Sequence, residues 1–451
     1  MINENDTKNL TKSVGLVSAI LTVVGSLIGG GVFFKPQAIY TATGGAPGLG
    51  MFCWVIAGVI TICGALTVSE LAVSIPKTGG MIVYIRELYG ERLSFLAGWV
   101  QVFLYFPGMI AALAVVFSEQ FVILSGIEWM KIPMTLIMVG VLCFTHMLGG
   151  KKSAYIGNIA TVSKIAVLAI IIVAGLAIGG GGNSITTPFV GKGVNPVVAG
   201  GQVLLAVFFV FDGWINVCAL AGEMKNPSKD LSKAMVGGIG IVLFIYLAIN
   251  VAYLKVLPAS TLANSQSPGL AVATELFGNS AGSIIGIGIM ISVFGCASAF
   301  SFTGSRVLYA LAGENILPKS DKLLELNKYN APKNSILLMC VISALFALSG
   351  QFNLLSDVAI FSIWIFIVLT FLGVFKNRKL NDVSKFKFKV PLYPIIPIIA
   401  IAAGVFVLSI QLITSTAMSI GSIAILLCGV PIYNSSLKRK MKSPISSQKS
   451  C

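Results

Sequence analysis

The sequence predicts an all-α polytopic membrane protein of about twelve transmembrane helices. Three observations carry this expectation. The 451 residues are 56% hydrophobic and only 10% charged, far from the balance of a soluble domain. Apolar runs of roughly 20 residues, the length that crosses a bilayer, recur along the whole chain. Two of these runs, the first and the sixth, are broken in mid-course by residues that do not sustain a helix.

The runs cover residues 14–40, 49–75, 93–124, 132–148, 153–178, 197–220, 234–257, 283–312, 335–348, 354–375, 392–413 and 417–433. Runs one to five and six to ten each begin with a broken member. Residues 14–180 and 197–376 therefore read as two inverted repeats, and 390–434 as two appended helices. Residues 1–13 form a polar tail and 435–451 a basic one, so the chain is one transmembrane domain with tails. The polar start leads into an apolar run too long for the core of a signal peptide. Between the runs, 179–184 and 258–269 are rich in small polar residues and read as connectors. Residues 82–89 form an amphipathic stretch, and 314–333 is polar enough for a short interfacial helix.

Orientation follows from the basic residues. With a cytoplasmic N-terminus, the outer loops carry only Lys131, Lys192 and Lys255, and the inner segments carry clusters such as Lys225, Lys229, Lys233 and Lys438, Arg439, Lys440. That asymmetry places both termini inside the cell, with the protein in the plasma membrane. It also accounts for the net charge of +15 without nucleic acid as a partner. The C-terminal tail is expected to touch anionic lipid headgroups. Seven of the eight cysteines sit in apolar runs and none forms a C-x-x-C pair, so no metal site, cofactor or disulfide framework is expected. No Ser/His/Asp set, metal spacing or soluble domain suggests an enzyme or a sensor.

The first break is Leu27-Ile28-Gly29-Gly30-Gly31-Val32-Phe33. Each glycine costs a helix about 1 kcal/mol relative to alanine, and in hydrocarbon every freed backbone group needs a partner. Close packing against a neighbouring helix is the bland explanation of such glycines. The second break, Phe209-Val210-Phe211-Asp212-Gly213-Trp214, favours a binding site, because paired breaks in two repeats mark one. Each break exposes carbonyls on one half-helix and amide N–H groups on the other, hence partial charges of both signs. A ligand with an ammonium and a carboxylate a few ångströms apart satisfies both, which describes an α-amino acid. Glycine at 29, 30 and 31 lets the carboxylate approach the backbone. Asp212 either belongs to this site or caps the second half of the sixth helix. Phe211, Trp214 and Phe300 are expected to wall the pocket, unless they merely pack against lipid or core.

Lys164 is the most informative single residue. It lies about 11 residues into the fifth run, roughly 16 Å deep, too far for its stem to reach the interface. It must meet a polar partner inside the bundle. The expected partners are the carbonyl end of the first half-helix at residues 25–27 and the hydroxyl of Ser298. Glu70 and Glu119 lie near run ends and read as interfacial, and His146 as a polar residue at a helix end.

Taken together these motifs resemble the amino acid–polyamine–organocation superfamily. Ile28-Gly29-Gly30-Gly31-Val32-Phe33 is similar to its first-helix break, and Glu70-Leu71-Ala72 with Pro76-Lys77-Thr78-Gly79-Gly80 to its second-helix signature. Phe211-Asp212-Gly213-Trp214, Gly222-Glu223-Met224-Lys225-Asn226-Pro227, Phe294-Gly295, Ser305-Arg306-Val307 and Leu317-Pro318 resemble the L-amino-acid transporter family within it, most closely its bacterial serine/threonine exchangers. The resemblance implies a LeuT-like fold of five-plus-five inverted repeats. It implies an exchanger, and no accessory subunit is expected. Substrate choice does not carry over, because Phe300 falls where related exchangers vary. The zwitterionic demand of the breaks and the apolar and aromatic walls point instead to small neutral L-amino acids such as serine, threonine or alanine. It places the carboxylate on the amides of Gly30 and Gly31, and the ammonium on the carbonyls of Leu27, Phe209 and Asp212. Lys164 matches a lysine that stands where sodium-coupled relatives place a cation. The chain departs from the pattern at Gly30, where Ser is usual, at Ser298-Ala299, where many relatives have Asn-Gly, and at Ile82, which replaces an aromatic. A proton- or ion-coupled symporter of amino acids or amines on the same fold is the alternative.

Overall fold

The computed structural model describes residues 15–75, 80–180, 183–215, 218, 224–314 and 316–442, the side chains of 150–159, 161 and 437–442 excepted. The N-terminal tail, the end of the basic tail from 443 to 451, Pro76-Lys77-Thr78-Gly79 and Gly222-Glu223 lie outside the described residues.

The first run is two helices, α1 (Leu16–Leu27) and α2 (Gly31–Ala42), bent by 51° at the glycines. Then follow α3 (Pro47–Ser74), the short α4 (Met81–Tyr89) and α5 (Glu91–Val100). A π-helical turn, Gln101–Tyr105, joins α5 to α6 (Phe106–Ser125) in one continuous span. The chain continues through α7 (Lys131–Met147), α8 (Gly150–Ile178) and α9 (Pro196–Val210). After the second break come α10 (Pro227–Val256), the one-turn α11 (Ala259–Ala263) and α12 (Pro268–Gly313). The short α13 (Ser320–Leu323) precedes α14 (Lys333–Ala347), α15 (Phe352–Leu380), α16 (Ile395–Thr414) and α17 (Thr416–Lys442). No strand occurs among the described residues. Among the described residues, eight helices are long and apolar enough to cross a membrane, and the α1–α2 pair makes a ninth candidate. Val162–Ile178, Pro196–Val210 and Lys333–Ala347 are shorter apolar helices.

Local chemistry sets several helix ends. Pro196 opens α9, and the Asn195 side chain accepts from the amides of Val197 (2.9 Å) and Val198 (3.3 Å), supplying two of the orphan donors. The loop before it does more than connect. Its Pro188 and Phe189 carbonyls accept from Gly48 and Leu49 and so cap α3, and Gly191 donates to Thr43. Gly48 is required there, since a Cβ would lie 2.3 Å from the Thr186 carbonyl. The second presumed connector, 258–269, holds α11 and the start of α12, whose helix turns sharply at Gly278 (φ 76°). The interfacial helix expected over 314–333 shrinks to the four residues of α13.

The apolar surface faces outward as well as inward. Val17, Val162, Val173, Phe244, Ile284, Leu345 and Ile413 are all more than 60% exposed, a pattern suited to lipid rather than water.

Glu70 is not interfacial. It is fully buried on α3 and takes both nitrogens of the Arg378 fork from α15 (2.7 and 2.6 Å), while its Oε2 also accepts from the Val390 amide at 2.7 Å. Run position suggested a surface carboxylate, but α15 brings its own arginine to meet it. Glu70→Ala leaves a largely buried guanidinium without its anion, so the variant is expected to lose roughly 3 kcal/mol of stability. A thermal shift assay in detergent checks this; an unchanged melting temperature would refute it.

Candidate functional site

The two breaks meet. Gly213 sits at φ 106°, and a Cβ there would lie 3.0 Å from the Ser26 carbonyl, so only glycine allows this approach of the sixth run to α1. Tyr246 of α10 joins the breaks from behind, with its hydroxyl 2.7 Å from the Leu27 carbonyl and 3.1 Å from that of Val210.

A cavity of about 580 Å³ opens beside them. Leu27, Ile28, Gly29, Gly30 and Gly31 line it from the first break, and Phe209, Val210, Asp212 and Gly213 from the second. Met109 and Leu113 of α6, Lys164 of α8, and Cys296, Ser298 and Phe300 of α12 complete the walls around them. The cavity extends along α1 to Thr22 and along α12 to Phe302 and Thr303. On the other side it ends at Gly31: Val32, Phe33, Phe34 and Lys35 are all buried and none lines it. The structure is thus open toward the N-terminal side of α1 and closed on the α2 side.

Lys164 is 6% exposed and donates to the Gly25 carbonyl at 2.8 Å. It therefore neutralises the negative end of α1 at the break. Ser298 lines the same cavity but pairs with His146 (Oγ to Nε2, 3.4 Å), not with Lys164. His146 is accordingly more than a helix-end residue: it is buried, lines the cavity and packs on the Phe302 ring.

Asp212 accepts a hydrogen bond from Tyr105, which the π-turn between α5 and α6 aims at it. Such turns often occur at functional sites because the extra residue redirects side chains. The half-helix that Asp212 would cap falls largely outside the described residues; the Gly213 amide lies within reach of the Asp212 carboxylate. Phe300 forms part of the wall and meets Tyr105 edge to face, with centroids 6.0 Å apart.

Phe211 and Trp214 do not wall the cavity. The turn that points Asp212 inward carries Phe211 out between Trp54 and Tyr246 and Trp214 onto Phe371, whose ring stacks on it at 6.4 Å. The expected roles of the Gly30 amide and the Leu27 carbonyl also meet competition: the first lies within reach of the Cys296 sulfur, and the second accepts from Tyr246.

Four residues escaped the sequence reading. Tyr105, Tyr246 and Cys296 sit in runs whose aromatic and small residues look like packing, and only the tertiary fold turns them inward. Lys35 carried a signal, a cation inside an apolar run four residues after Gly31. It is fully buried and held by α15.

A cavity between two broken helices, reached from one side and sealed on the other, defines a carrier of the secondary-transporter class. A model of the family described as amino acid permease matches residues 14–433, and the chain belongs to that family, within the amino acid–polyamine–organocation superfamily. It is 38% identical to the serine/threonine exchanger SteT of Bacillus subtilis (strain 168) over 440 residues, covering 96% of this chain and 98% of that one. It is 27% identical to the b(0,+)-type amino acid transporter 1 of Mus musculus, over 92% of this chain and 85% of that one. Identity to the large neutral amino acids transporter small subunit 2 of Homo sapiens is 28%, over 94% and 80%.

Proposed function

We propose that this protein is an amino acid exchanger that works by alternating access without sodium and carries small neutral L-amino acids such as serine, threonine and alanine. The observation that carries the sodium-independent reading is the Lys164 ammonium on the Gly25 carbonyl. A tethered charge occupies the place where a dissociable cation would neutralise the helix end, and it cannot leave with the substrate. The carboxylate sits at the amides that open α2, with glycine at 29–31 giving it access, and the ammonium sits at the carbonyls of the two breaks. Phe209 and Phe300 limit side-chain size, and Asp212 is held through Tyr105.

The same reading extends to architecture. The eight long helices, the bent pair and the three shorter apolar helices together supply the twelve crossings of a LeuT-like fold. Residues 14–180 and 197–376 are its inverted repeats, 390–434 the appended pair, and both termini face the cytoplasm of a plasma-membrane protein. On this orientation the cavity opens inward. The protein works without a second chain, in contact with anionic lipid.

Counterflow in proteoliposomes tests the function. Labelled serine is expected to enter vesicles preloaded with serine, threonine or alanine, and to enter empty vesicles hardly at all, with no response to sodium or pH gradients. Flux driven by either gradient into empty vesicles would replace exchange with symport. The substrate class is read in the same assay by competition. Excess unlabelled alanine or threonine should suppress labelled serine uptake, and arginine or a polyamine should not; the reverse order would overturn the assignment.

A further inference from the structure

The closed side of the cavity is built around Lys35. Lys35 lies one helical turn beyond Gly31, on the same face of α2. Its ammonium has three protons to donate and finds three acceptors, all on the first turns of α15. These are Ser356 Oγ at 2.7 Å, Asp357 Oδ1 at 3.1 Å and Asn353 Oδ1 at 3.3 Å. The same nitrogen lies 5.0 Å from the centroids of both Phe209 and Phe352. Those two rings meet edge to face at 5.6 Å, and Phe34 closes on Phe352 from the side at 6.3 Å.

Phe209 connects this cluster to the site. Its ring lies so near Gly31 that an added Cβ would be 2.9 Å from it, and it also lines the cavity. The ring therefore forms the floor of the Lys35 cluster and the ceiling of the cavity. A solute entering from the α2 side has to displace Phe209 and pass between α2 and α15. The Lys35 contacts with Asn353, Ser356 and Asp357 are the polar ties across that seam. A buried ion pair adds little net stability compared with apolar packing, but breaking it one-sidedly is costly, which suits a tie that must be either made or released. Asp357 is 30% exposed, so water can reach its carboxylate when the ammonium departs.

We propose that Lys35 is a positioning residue for transport, a latch that holds Phe209 over the cavity by tying α2 to α15 and that must release before substrate can enter from the α2 face. The proposal rests on the carrier reading above, but its test does not require transport.

The native Cys296 serves as the reporter, because it lines the cavity beneath the Phe209 ceiling. A membrane-impermeant thiol reagent is added outside right-side-out vesicles, with Cys296→Ala protein giving the background from the other cysteines. Cys296 in the parent protein should react slowly. Lys35→Met leaves the Asp357 carboxylate without its cation and Asp357→Asn leaves the buried ammonium without its counter-charge, so each should raise the Cys296 rate by about tenfold through a shift toward states open on the α2 face. Lys35→Arg keeps the charge and should stay near the parent rate. Parent-like labelling of both neutralised variants, in protein that elutes as a single species, overturns the latch. If Lys35→Met does not fold, the more exposed Asp357→Asn decides alone. Faster labelling in a protein that fails to exchange serine would uphold the latch and refute the substrate reading. Unchanged labelling in a protein that does exchange serine would do the opposite.

Discussion

Lys164→Ala is expected to slow amino acid exchange by roughly 10- to 100-fold, the equivalent of about 1–3 kcal/mol for a buried acceptor left without its donor. The ammonium is 2.8 Å from the Gly25 carbonyl on the α1 side of the first break, and the side chain is almost fully buried. Removing it exposes the negative end of α1 in a low-dielectric setting, so states in which α1 is docked lose their counter-charge. Apparent affinity should change as well, although no contact between Lys164 and substrate is required. Initial rates of serine–serine exchange in proteoliposomes, at several internal serine concentrations, give both quantities. Lys164→Arg should rescue only partly, because a planar fork does not replace a compact ammonium. Wild-type exchange that strictly requires sodium would sink the fixed-charge account.

Gly31→Val is expected to lower serine affinity by at least roughly 100-fold while leaving the protein folded, since the helix itself tolerates valine better than glycine. The obstacle is geometric. A Cβ at position 31 would fall 2.9 and 3.0 Å from Phe209 ring carbons and 3.1 Å from a Val210 methyl. Those neighbours form the cavity ceiling, so relief must come by pushing Phe209 or by filling the space in front of the amides that open α2. Gly29 is the graded comparison: a Cβ there meets nothing nearer than the Cys296 sulfur at 3.6 Å, so Gly29→Ala, which also narrows the approach to the amides, should weaken binding less than Gly31→Val. Scintillation proximity binding in detergent measures both variants. If Gly31→Val binds serine as well as wild type, the carboxylate is not held at that end of α2.

Much of the helical framework was legible because hydropathy in a membrane chain is nearly a direct readout of structure. The seventh run, 234–257, ends one residue past Pro227–Val256, and the tenth, 354–375, lies within Phe352–Leu380. The breaks were legible for a related reason: three glycines, or an Asp-Gly pair, have no easy place in a lipid-facing helix. Lys164 could be placed by depth alone, since a lysine stem has a fixed reach. Facing could not be read this way. Phe211 and Trp214 sit in the same short motif as Asp212, and the turn that sends one inward sends the others out. His146 and Glu70 were misjudged because their partners, Ser298 and Arg378, lie far along the chain. Lys35 stands in an apolar run just as Lys164 does, yet nothing near it in sequence marks its role. Its acceptors are on α15, more than 300 residues away in sequence, and only packing reveals them.

The Tyr246 hydroxyl has one further consequence. A phenol has a single proton to give, yet two carbonyls, Leu27 from the first break and Val210 from the second, lie within reach of it. The two breaks are therefore rivals for one proton, and whichever wins leaves the other short. On the proposed binding mode, an ammonium with three protons would end the rivalry: whichever break it served, the phenol would be released to serve the other. One small ligand would in this way settle a dispute between the two breaks, and its departure would reopen it.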